Sequence, residues 1–83
     1  MYAAEVALRE ADRSKFVRLA GKRVSRAMND IRLIGNLSNR SNYDYTEEDV
    51  ARIFRALADE VLACRKKFNV ASKKQTKPRF ELD

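Results

Sequence analysis

Lys15, Arg18, Lys22 and Arg26 recur every three or four residues. On a helix turning about 100° per residue they share one side, together with Asn29. Cations one turn apart can follow successive phosphates, a contact that is salt-dependent and carries little sequence information. A second concentration lies at residues 36–45, where Asn36, Asn39, Asn42, Ser38, Ser41, Arg40, Tyr43 and Tyr45 fall within ten positions. Asn and Ser can read base edges or phosphates, Tyr offers a stacking plane, and Arg pairs with phosphate through two donors. The candidate ligand-binding residues are therefore Lys15, Arg18, Lys22, Arg26, Arg40, Tyr43 and Tyr45. Each has an ordinary structural reading beside the functional one. The basic row also reads as a solvated helix face, and the loop's Asn, Ser and Asp as suppliers of turn hydrogen bonds.

Other chemistries are poorly supplied. The 83 residues contain no His and no Trp, one Cys and two separated Gly. Without His there is no Ser–His or Cys–His pair and no zinc site of two Cys and two His. Cys64 alone makes neither an internal disulfide nor a thiolate cage, and Gly21 and Gly35 do not form a phosphate loop. Cys64 falls on an apolar stripe and is expected to be buried there. The acids Glu47, Glu48 and Asp49 are accounted for by helix capping. The expectation is a protein that is not an enzyme and uses no cofactor and no metal.

The elements that would position these residues are helical. Thr46 reads as an N-cap with Asp49 three residues later, and Tyr45 and Val50 have the spacing of a hydrophobic staple. Acids open this helix, while Arg65, Lys66 and Lys67 lie near its end, both favourable to the helix dipole. Val50, Ile53, Phe54, Leu57, Val61, Cys64 and Phe68 form its stripe, and Glu48–Arg52 has the favourable i,i+4 orientation. Asn69 is the expected stop. Upstream, Val17, Ala20, Val24, Ala27, Ile31 and Ile34 alternate in steps of three and four, with Phe16 and Met28 beside them. Gly21 adjoins this stripe and is expected to admit a close-packed neighbour. Residues 2–11 are also helix-prone. Continuity would place Glu10 and Arg13 on the apolar stripe, so a break is expected at residues 12–14.

The reading is thus all-α, with a single domain over residues 1–70 and helices at about 2–11, 14–35 and 46–69. Residues 71–83 are expected to be a basic tail, with Phe80 and Leu82 available to dock it. A polar connection of about eight residues between the long helices predicts an antiparallel helical hairpin. Ile31 and Leu57 are expected in the core. Ala51, Ala58, Leu62, Leu19, Leu33 and Leu37 add apolar surface beyond a hairpin's needs, so a homo-oligomer forming a helical bundle is expected. No helix-turn-helix, RNP or zinc-finger pattern is present. A zipper-type coiled coil needs sustained heptads, for which both helices as read are too short.

Charge frames the function. Lys plus Arg is 18 against 12 Asp plus Glu, a net +6, and residues 1–45 hold nine bases against five acids. That balance favours an anionic partner, nucleic acid or a nucleotide. The alternative is a protein-interaction module, an inhibitor, adaptor or small subunit using an apolar helix face. The longest apolar run is four residues, against about 20 for a membrane span. No membrane association and a cytoplasmic setting are the expectation, in keeping with one Cys.

Overall fold

The computed structural model describes the backbone of residues 2–76 and the side chains of residues 5–73. The described residues are all-α. Helix α1 runs Tyr2–Gly35, a 3₁₀ turn follows at Asn36–Ser38, and helix α2 runs Glu47–Thr76. The chain divides into two units, Met1–Asp44 and Tyr45–Asp83.

In the first unit, α1 is one helix of 34 residues, about 51 Å of rise. The break expected at residues 12–14 does not occur, and there is no separate N-terminal helix over 2–11. The reason lies in burial. Glu10 and Arg13 do fall on the stripe, but that face is exposed along with them, so neither charge is desolvated. Without that conflict, helix propensity decides, and residues 12–14 contain neither Gly nor Pro. The Arg13 guanidinium lies 5.9 Å from the centre of the Phe16 ring, an i,i+3 cation–π contact that supports the helix at the expected break. α1 ends at Gly35, where a stop was expected, yet Gly35 stays right-handed at φ −59° and ψ −31°. The helix tightens into 3₁₀ there.

Gly21 has no close neighbour among the described residues. A Cβ placed on it meets nothing within 4 Å, which corrects the expectation of close packing. Gly21→Ala is therefore expected to raise the stability of α1 by up to about 1 kcal/mol, the ordinary helix preference of Ala over Gly. A thermal melt followed by circular dichroism checks this, and a loss of stability would mean that an associated chain occupies the space.

In the second unit, α2 begins as anticipated. The Asp49 amide donates to Thr46 Oγ1 at 3.0 Å, and the Thr46 amide donates to Asp49 Oδ2 at 2.9 Å. Two amide donors at the helix start are satisfied reciprocally. The Val50 amide donates to the Thr46 carbonyl at 3.2 Å, closing the first turn. Tyr45 and Val50 are both half-buried among exposed neighbours, the burial that a staple produces. Arg52 pairs with Glu48 at 3.3 Å, both side chains 75% exposed, so the pair contributes only a few tenths of a kcal/mol.

The box is also pH-sensitive. The Thr46 amide, then the Thr46 hydroxyl, hold the Asp49 carboxyl below its ordinary value, with a smaller contribution from the Arg52 charge. A carboxylate whose pKa is lowered in the folded state stabilises above its unfolded pKa of about 3.9, and that stability is lost as pH falls through the lowered value. Helicity of α2 is expected to decline below about pH 4, and Thr46→Ala to cost about 1 kcal/mol at neutral pH. Titration of ellipticity in the wild type and in Asp49→Asn checks the origin, because the Asn variant keeps an acceptor but cannot titrate.

The stop expected at Asn69 is passed, and α2 continues to Thr76. Asn costs a helix interior well under 1 kcal/mol, and Val70, Ala71, Ser72 and Lys73 follow it without a breaker. Pro78 is the first strong breaker downstream. Residues 71–76 are thus helix rather than tail. The docking role considered for Phe80 and Leu82 lies outside the described residues.

Neither helix has a buried side chain among the described residues. Leu57 is half-buried and Ile31 is 49% exposed. Cys64 is a free and exposed thiol, which corrects the expectation of burial. The greater helix lengths also reveal a longer pattern. On α2, Val50, Phe54, Leu57, Val61, Cys64, Phe68 and Ala71 alternate in steps of four and three without interruption. That is a heptad seam, and the 30 residues of α2 hold about four heptads, so α2 is not too short for one.

Candidate anionic-ligand interface

Lys15, Arg18, Lys22, Arg26 and Asn29 are all exposed on α1. On an α-helix the four cations span an arc of about 80° and about 16 Å of rise, and helical continuity spaces them at roughly one turn. The face is formed by local structure alone and needs no tertiary contact to exist. Asp12 and Asp30 flank it, and Leu19 beside it is half-buried.

The loop is organised by Asn39. Its carbonyl accepts from the Asn42 and Tyr43 amides, both at 3.1 Å, and its Oδ1 accepts from the Ser41 amide at 3.0 Å. This is an Asx turn with a backbone turn laid over it. Asn39 therefore has the structural role anticipated for loop Asn residues. Tyr43 stays 48% exposed. Tyr45 is half-buried beside the Thr46 cap, and Arg40 and Tyr45 both have interactions within the structure.

Arg26 lies about 14 Å of helix rise before Gly35, where α1 ends, and Arg40 and Tyr43 lie beyond that end. A shallow depression lined by Val6, Arg9, Glu10, Arg13 and Ser14 lies along α1 alone, on the side away from the basic row, and is open to solvent. Among the described residues no group of three or more Asp, Glu or Cys side chains is placed to hold a metal ion. No described helix is long and apolar enough to cross a membrane. No protein-family model matches the chain, and no curated protein and no solved structure is detectably similar to it.

Sequence reasoning passed over one set of residues. Arg9, Arg13, Arg23 and Arg32 are further exposed cations on α1, outside the basic row. Arg13 was set aside because its place on the stripe argued for a break. The continuity of α1 turns it into an exposed cation instead.

Proposed function

We propose that this is a non-enzymatic helical protein that binds an anionic ligand, nucleic acid or a nucleotide, through the basic face of α1. The observation that carries the reading is the exposed row Lys15, Arg18, Lys22 and Arg26 on one uninterrupted helix. A net charge of +6 raises the local concentration of polyanions around it. Arg40 and Tyr43, with Tyr45 at the cap, form a second and separate contact that takes a base or a phosphate. Because the row is an open face, it fits an extended phosphate backbone better than a small nucleotide, which would need enclosure. The test is a titration of labelled single-stranded oligonucleotide and of nucleoside triphosphate at several salt concentrations. Oligonucleotide affinity that falls steeply with salt supports the reading, and salt-independent or absent binding removes it.

A second reading, a protein-interaction module, is favoured by a different observation. Val17, Val24, Ile31, Phe54, Val61 and Phe68 are all about half exposed or more, a large apolar surface for so short a chain. As part of the same proposal, α1 and α2 fold back as an antiparallel hairpin across their polar connection, and hairpins associate into a bundle that covers these side chains. Helices in water draw most of their stability from a covered apolar face.

A further inference from the structure

The seam of α2 is the most continuous apolar feature of the molecule. Seven successive seam positions from Val50 to Ala71 carry no polar residue apart from the Cys64 thiol. Phe54 is 57% exposed, Val61 65% and Phe68 52%. The charges along the same helix are segregated. Its first turn holds Glu47, Glu48 and Asp49, whereas every charged residue after Glu60 within it is basic: Arg65, Lys66, Lys67, Lys73 and Lys74.

We infer that the α2 seam is covered by the α2 seam of a second copy of this chain, running antiparallel, with Val61 of each copy level with Cys64 of the other. Three arguments of packing and charge converge on that arrangement. First, the register pairs large with smaller side chains, Phe54 against Ala71 and Val61 against Cys64, with Leu57 against Phe68 between them. A parallel pair would stack Phe54 on Phe54 and Phe68 on Phe68 in single layers. Second, the antiparallel direction sets the acidic first turn of one helix against the basic last turns of the other. A parallel pair would bring like charges together at both ends. Third, Glu60 flanks the seam and, in this register, faces Lys67 of the second copy, a contact made twice by two-fold symmetry. The inference rests on the association proposed above but is independent of what the basic face of α1 binds.

The test uses the full chain. Light scattering at about 50 µM is expected to report a dimer or a multiple of it. In a Cys64→Ser background, Phe54→Cys with Ala71→Cys is expected to oxidise to a covalent dimer whose peptide map links position 54 to position 71. The two sites are about 25 Å apart along one helix, so the link cannot form within α2. Glu60→Lys and Lys67→Glu are surface changes that leave the seam intact. Each alone is expected to weaken the dimer roughly tenfold, and the double exchange to restore it. Links of 54 to 54 and 71 to 71, or charge changes without effect on a persisting dimer, would overturn the antiparallel α2 pair while leaving association standing. A helical monomer in solution would remove both.

Discussion

Lys22→Glu combined with Arg26→Glu is expected to weaken binding of every oligonucleotide to about the same degree, whatever its base sequence. Four neutralised phosphates give a slope of log affinity on log salt of about −3.6 on duplex DNA, roughly a hundredfold loss between about 50 and 200 mM salt. Losing two contacts halves the slope, so the same change of salt should cost the variant only about tenfold. The measurement is a pair of salt titrations by fluorescence anisotropy, with circular dichroism confirming equal helicity. Both residues are exposed, so the reversals leave packing untouched. Tyr43→Ala should behave differently. Stacking is worth about 1–3 kcal/mol per base, so the variant should lose affinity for base-containing ligands while its salt slope stays the same. An unchanged slope after the double reversal would transfer the basic row to the role of a solvated face and leave the interaction module in its place.

The second large effect concerns the helix itself. Ser14→Pro is expected to cost about 3 kcal/mol or more, because Ser14 lies twelve residues inside α1, where proline removes a backbone hydrogen bond and clashes with the preceding turn. Were residues 12–14 a junction between two helices, proline there would occupy a first turn, where it is tolerated. Far-UV circular dichroism separates the cases: a continuous α1 loses its first three to four turns in the variant, and a junction loses almost nothing. Ser14→Ala is the control and should raise helicity slightly.

The contrast between Thr46 and residues 12–14 shows which features the sequence made legible. The capping box, the Glu48–Arg52 pair and the loop turn at Asn39 each involve residues within four positions of one another, so their geometry is set by local chain stereochemistry. The stop at Asn69 was inferred from the weak helix preference of Asn, which is too small to end a helix. The break at 12–14 was inferred from what a buried stripe would tolerate. That premise failed, since no described side chain is buried, and with it went the expectations for Cys64, Ile31 and Gly21. The basic row was readable because helical spacing alone places it. The end of α1 at Gly35, with Arg40 and Tyr43 beyond it, was readable too, because Gly is a helix stop.

The locality of these contacts has a kinetic consequence. The bonds of Asn39, Thr46 and Glu48 each close over two to four residues, so their formation requires no long loop to be brought together. Helices of this length relax in about a microsecond, at a rate that dilution does not change. The proposed pairing of two copies would be second order, and at about 1 µM with an ordinary association rate of about 10⁶ M⁻¹s⁻¹ it would take on the order of a second. Refolding after rapid dilution from denaturant should therefore split into two phases about six orders of magnitude apart. Part of the ellipticity of α1 and α2 would return within the dead time of a stopped-flow instrument, and the remainder would follow the pairing that covers the apolar face, in a phase that lengthens as the protein is diluted.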